Sequence, residues 1–327
     1  MKPGIVTLTP STSMSLSSEP LFNSSTFDWD KYDHFRPLYR KEFYDLIYDY
    51  HRAHGGKWDV AHDVGTGGGK VAEELGRHFT TVIASDPSAN YLETAKARLL
   101  RSRPQAPKAE YRVTAGRAEE MKNWILPGTV DMTTIGEAIH WMDHDAVIKA
   151  ATETLRPGGT LAVWLYGPRL TLPDVPGATH ILHQVFERLT EQLPKSPAVT
   201  RACAVSDGQY DSVDLSSQNL VHVKRLKWHS QVSALFSCRK DASAIGENDE
   251  VEQRDGNDGL WVAYGDAAWI RGYFDHLYPN LPRDDGREQL YDDLEELLRG
   301  GKGRIAWPAT LLLASRKQCD SRPVCGA

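Results

Sequence analysis

The feature that most constrains the fold is an alternation. Between residues 58 and 167 the short apolar runs "DVAHDV", "TVIASD", "AEYRVTAG", "VDMTTIGEA" and "TLAVWLYG" are separated by helical patterns such as "GKVAEELGRHF", "ANYLETAKARLL" and "HDAVIKAATETL". Strands joined through helices of about 10–15 residues cannot close as hairpins, so they run parallel with helices on both faces. The pattern predicts an α/β fold with a doubly wound, Rossmann-like, mostly parallel sheet. At 327 residues, 40% of them apolar, the chain can bury a sizeable core.

The stretch "AHDVGTGGGKVAEEL", residues 61–75, places four glycines where the first of these strands turns into a helix. A Walker loop needs a hydroxyl after Gly-Lys to hold Mg²⁺, and Val71 follows Lys70. A dinucleotide fingerprint wants a third glycine where Lys70 stands, and Asp63, just before Gly65, would oppose a pyrophosphate with like charge. An acid there suits a ligand carrying a cation. S-adenosylmethionine is such a ligand, with an α-amino group and no phosphate. Asp86 closes the next strand and can take both ribose hydroxyls in a bidentate way; the plain alternative is a helix-capping Asp86-Pro87-Ser88 turn. After the third strand, "AGRAEEM" makes Ala118 and Glu119 candidates for the adenine contact, a solvated loop being the alternative. "LRPGGTLAVW" reads as a helix end, a turn and a strand.

Residues 1–25 are Ser/Thr/Pro-rich and expected to be disordered. Residues 26–167 form the core with an N-terminal arm, including a helix carrying Phe43, Leu46, Ile47 and Tyr50. Residues 168–300 form a lid or cap with a mobile acidic loop at 238–259; residues 301–317 return as the final strand, and 318–327 are a tail. Four cysteines without a CxxC pair suggest a reduced compartment and no structural metal. With no apolar run near 18 residues and no signal-like segment, the expectation is a cytoplasmic protein without a membrane partner. The net charge of −6 argues against a nucleic-acid partner, and the Lys224, Arg225, Lys227 group is read as a solvated strand edge. A small molecule is the expected partner; the oligomeric state is left open.

With "DVGTGGG", "SDPS" and "LRPGGTL" the chain resembles the class I S-adenosylmethionine-dependent methyltransferases. "FDWDKYDHFRPLYRKEFYDLIYDYH", "GEAIHWMD" and "RIAWPATLLLASRK" make it similar to their trans-aconitate methyltransferase-like branch, which includes fungal enzymes of small-acid and secondary metabolism. The resemblance implies that Tyr32 and Arg36 lie in an arm closing over the cofactor, the Arg meeting its carboxylate. It also implies that Asp63, Gly65, Thr66 and Gly67 hold the methionine part, and that Asp86 with Pro87 and Ser88 holds the ribose. Glu137, Ala138, His140 and Trp141 would border the sulfonium and the acceptor. Thr66 stands where the family often has Cys.

Methyl transfer is an in-line displacement that needs alignment and exclusion of water. A carboxylate acceptor needs no base. A hydroxyl would benefit from one, and His140 is the candidate, a positioning hydrogen bond being its other reading. Tyr166, Trp261, Trp269 and Tyr273, with Trp164, Trp228 and Phe274, would form an aromatic acceptor pocket or plain core; Arg169, Arg201 and Arg271 are the cations available to an acidic acceptor. O-methylation of a carboxylate or hydroxyl in secondary metabolism is the leading reading. Its rivals are a methyltransferase-like enzyme that binds the cofactor but performs a cyclisation, pericyclic reaction or elimination, and a cofactor-binding subunit of another enzyme.

Overall fold

The apolar runs of the first half become adjacent parallel strands. The computed structural model describes residues 6–8, 29–102, 109–216, 219–230, 243–254, 256, 258–278, 281 and 286–318. Its strands are β1 (Val6–Leu8), β2 (Val60–Val64), β3 (Thr81–Asp86), β4 (Glu110–Ala115), β5 (Val130–Gly136), β6 (Leu155–Tyr166), β7 (Leu220–Trp228), β8 (Glu250–Arg254), β9 (Val262–Gly265), β10 (Gly303–Ala306) and β11 (Ala309–Arg316). Nine of them make one sheet in the order β1-β4-β3-β2-β5-β6-β11-β7-β8. From β1 to β6 all neighbours are parallel, and β11 runs antiparallel between β6 and β7. In β5 every residue but Gly136 is buried, as a central strand covered on both faces requires.

The helices are α1 (Trp29–His34), α2 (Lys41–Ala53), α3 (Lys70–Leu75), α4 (Ala89–Arg101), α5 (His144–Thr154), α6 (Ala178–Glu191), α7 (Pro197–Asp207), α8 (Ala267–Asp275) and α9 (Glu288–Leu298). Three of their starts carry clear side-chain caps: Asp143 accepts from Ala146 N at the head of α5, Ser196 from Val199 N at α7 and Asp266 from Trp269 N at α8. Phe43 and Ile47 of α2 are 1% exposed, and their contacts join the sheet to the aromatic residues of the second half in one core. Among the described residues no helix is long and apolar enough to cross a membrane.

Several expectations change. Val6–Leu8, inside the stretch expected to be disordered, pairs with β4; the remainder of residues 1–25 lies outside the described residues. Pro157-Gly158-Gly159 is not a free turn but the first part of β6, whose ladder with β5 shifts register between Val130 and Met132. Such a bulge admits a proline with no N–H to donate. The final run splits into β10 and β11 around Trp307-Pro308. The expected acidic loop contains β8, which pairs with β7 and becomes the edge in its place; residues 238–242, 255 and 257 lie outside the described residues. Arg225 is therefore fully buried, donating from Nε to Asp249 Oδ2 at 2.6 Å, and Lys227 meets Asp211. These two are structural ion pairs, not a solvated edge, while Lys224 pairs with Glu250 and Glu252 at the surface.

Candidate active site

A doubly wound sheet leaves a crevice outside the carboxyl ends of its central strands, where the crossovers part to opposite faces. Here a cavity of about 280 Å³ opens beyond β2, β3 and β5. Asp63 and Asp86 reach it from β2 and β3, and Gly136 and Glu137 from the end of β5.

The glycine loop is shaped for close approach. Gly65, Gly67 and Gly69 have φ of +67°, +52° and +82°, a left-handed region that costs other L-residues energy. A Cβ at Gly65 would lie 2.7 Å from Ala138 Cβ, and one at Gly68 would lie 2.9 Å from the Trp29 ring. The two acids fasten this loop. Asp63 accepts from Thr66 Oγ1 (2.6 Å), Ala72 N (3.1 Å) and Thr134 Oγ1 (3.0 Å), and Asp86 from Gly67 N (3.0 Å) and Ser88 N (2.8 Å). Burial pushes Asp63 up to about 7 against these hydrogen bonds, and Asp86 up to about 6.

Opposite the loop stands the arm. Asp33 of α1 pairs with Arg98 of α4 at 2.5 Å and Lys70 at 3.8 Å, and Trp29 packs edge-on to Tyr91, so α1 is tied across the mouth of the cavity. Arg36 is 9% exposed. Its Nη2 donates to the carbonyls of His276 and Leu277 past the end of α8, and its guanidinium lies 4.3 Å from the Tyr32 ring centroid. Its Nε is buried without a partner, and no carboxylate pairs with it among the described residues. A buried guanidinium in that state suits an anionic ligand group.

Beyond β5, Glu137 holds a left-handed φ of +54°, donates its N–H to Trp164 O at 2.9 Å and accepts from Tyr166 N. Burial pushes its carboxyl up to about 8, against the pull of the Tyr166 N–H and Arg36. His140 follows in a short 3₁₀ turn (Ile139–Trp141); its Nδ1 lies 2.8 Å from Tyr210 Oη, and burial holds the ring down at about 3. A second cavity of about 120 Å³ shares His140, Trp141, Pro168, Ser206 and Tyr278 with the first and extends to Phe186, Cys203 and the Arg169–Asp207 pair.

Tyr32, Arg36, Asp63, Gly65, Thr66, Gly67, Asp86, Pro87, Glu137, Ala138, His140, Trp141, Tyr166 and Tyr273 thus line one cavity. Other candidates lie elsewhere. Ser88 caps α4. Ala118 is buried in the 3₁₀ turn Ala118–Asn123, and Glu119 accepts from Asp143 N at 3.1 Å. Trp261 packs on Phe43 (5.0 Å between centroids) and Trp269 on Phe35 and Trp307, so both are core walls behind the cavity, as are Trp164, Trp228 and Phe274. Arg271 is paired with Glu288 outside it. Trp29, Tyr39, Ser206 and Tyr278, not singled out by the sequence, also line the cavity. Trp29 and Tyr39 sit in the aromatic opening that carries the resemblance, which was their available signal.

Comparison with known proteins defines the class. A methyltransferase domain model matches residues 62–163, which contain the glycine loop and the ends of β2, β3 and β5. A protein of Anaeromyxobacter dehalogenans assigned as a type II methyltransferase shares the fold, with a TM-score of 0.55 at 17% identity, covering 87% of this chain and 99% of that one. The chain is an S-adenosylmethionine-dependent methyltransferase with the class I Rossmann-like fold. More narrowly, it is 30% identical to methyltransferase cfoB of Aspergillus candidus over 88% of this chain and 94% of that one, and 31% identical to methyltransferase pgmE of Aspergillus terreus over 88% and 93%. It belongs to the family of fungal methyltransferases that these relatives represent. The narrower trans-aconitate branch is not confirmed by these matches.

Proposed function

We propose that the chain O-methylates a carboxylate or hydroxyl of a small secondary-metabolite acceptor. In this reading the cofactor lies in the larger cavity and the acceptor enters the junction with the smaller one. S-adenosylmethionine, when bound, supplies an electrophilic methyl on a sulfonium. The observation that supports the cofactor part of the reading is the buried, unpartnered Arg36 Nε lining the same cavity as an acid-fastened glycine loop. An amino acid's carboxylate fits the first and its ammonium the second. Asp86 would take the ribose; Gly65 and Gly67 would let the backbone approach the methionine part. Asp63, with three of its lone-pair sites already used, would act chiefly by holding the loop and lending negative potential.

The chain's remaining task is to align the acceptor and exclude water. The segments outside the main sheet, between β6 and β7 and after β8, would do so as the cap: α7 supplies Cys203 and Ser206, and Tyr278 closes the junction over Trp141. The aromatic and apolar lining of that junction favours an acceptor with a flat, apolar body. The test is incubation of the purified chain with methyl-labelled S-adenosylmethionine and a panel of phenols, enols and carboxylic acids. Label in a methyl ether or ester is expected. Label on carbon or nitrogen, or a converted acceptor that carries no label, sinks the reading.

A further inference from the structure

His140 has two ring nitrogens in different settings. Nδ1 lies 2.8 Å from the Tyr210 hydroxyl, while Nε2 is bonded to no described protein group and belongs to a ring that lines both cavities. Tyr210 is fully buried, and its hydroxyl meets no acceptor other than Nδ1 among the described residues. Were Nδ1 the donor, the phenol proton would be left buried and unbonded, a costly arrangement. The phenol proton therefore goes to Nδ1, which leaves the hydrogen on Nε2.

Tyr210 is itself held firmly. It takes a left-handed φ of +60°, and its carbonyl accepts from Nη1 of the buried Arg225, whose Nε is bound to Asp249. The ring of His140 is thereby tied, through Tyr210, to Arg225 of β7 in the main sheet.

We propose that Tyr210 is a positioning residue that locks His140 as a neutral Nε2–H donor, and that this donor selects acceptors presenting an oxygen lone pair, a carbonyl or carboxylate, at the junction of the two cavities. The acceptor half of the proposal rests on the O-methylation reading; the tautomer half does not. A base at this position would need a bare Nε2, the opposite of what the Tyr210 contact imposes. Burial, which keeps the ring from taking a second proton, agrees with a neutral donor.

The test is nitrogen NMR on the full chain carrying ¹⁵N-histidine, loaded with S-adenosylhomocysteine and titrated between about pH 5 and pH 8, the range in which an ordinary histidine changes charge. His140, assigned by the loss of its signals in His140→Gln, is expected to show a protonated Nε2 and a bare Nδ1 throughout. Adding sodium benzoate as a carboxylate probe is expected to shift the Nε2 resonance. Tyr210→Phe is expected to let the proton exchange between the two nitrogens while leaving the affinity for S-adenosylhomocysteine within about twofold, since the hydroxyl removed belongs to a residue that lines neither cavity. A proton on Nδ1, an imidazolium in this range, a benzoate-insensitive Nε2 or an unchanged tautomer in Tyr210→Phe each overturns the proposal. If the NMR pattern holds while labelled transfer goes to carbon or nitrogen, the O-methylation reading fails and the Tyr210 lock stands.

Discussion

At the residue scale, Asp86 does two jobs at once. Its oxygens receive the N–H groups of Gly67 and Ser88, so it joins the glycine loop to the head of α4 while facing the cavity. Asp86→Ala is expected to weaken S-adenosylhomocysteine binding by about 10- to 150-fold, the equivalent of roughly 1.5–3 kcal/mol for a charge-assisted contact. Calorimetry checks it, and an affinity equal to that of the unsubstituted chain would refute the ribose assignment. Asp63, Asp86 and the glycines could be picked out in the sequence because charge and missing side chains are intrinsic to a residue, whereas Arg36 was singled out only through the family resemblance. What the acids bond to was not legible there. Thr134 lies 71 positions from Asp63, and only the parallel pairing of β2 with β5 brings the two together. For the same reason Trp261 and Trp269 read as pocket residues: an aromatic side chain looks alike in a wall and in the core behind it.

At the element scale, the parallel half was readable because period and length separate its strands from its helices, and a crossover helix forces the direction of the next strand. The cap was not. β8 is short and charged, "EVEQR", with no alternation to mark it, and its place follows from pairing with a distant β7. That pairing turns an apparent basic edge into buried structure, which gives a stability prediction. Arg225 is 0% and Asp249 4% exposed. Asp249→Asn leaves a buried guanidinium without its counter-charge and is expected to destabilise the fold by about 3 kcal/mol or more. Urea unfolding measures it, and a loss under about 0.5 kcal/mol, ordinary for a surface change, would mean that the pair is solvated after all. Because Arg225 also holds the Tyr210 carbonyl, the variant should loosen the His140 ring even in molecules that remain folded.

At the scale of the whole molecule, the doubly wound topology gathers three carboxyl groups, those of Asp63, Asp86 and Glu137, at the ends of three parallel strands, with Asp63 and Asp86 buried and Glu137 half-buried. Burial raises them to about 7, 6 and 8 respectively, from ordinary values near ~4. Between about pH 4 and pH 8 the folded ligand-free chain therefore binds more protons than the unfolded one, so these groups stabilise the fold at the acid end and lose that contribution as pH rises. A ligand that brings an ammonium and a sulfonium into the same cavity favours the ionised carboxylates and must drive protons off. Near pH 7 the binding of S-adenosylmethionine is expected to release protons, its affinity rising with pH up to about 8. S-adenosylhomocysteine, without the sulfonium charge, should release fewer. Calorimetry in two buffers of different ionisation enthalpy reads this directly. Equal heats in both buffers would mean that the three carboxylates are already ionised in the empty cavity, and that the glycine loop is held by full negative charge before any cofactor arrives.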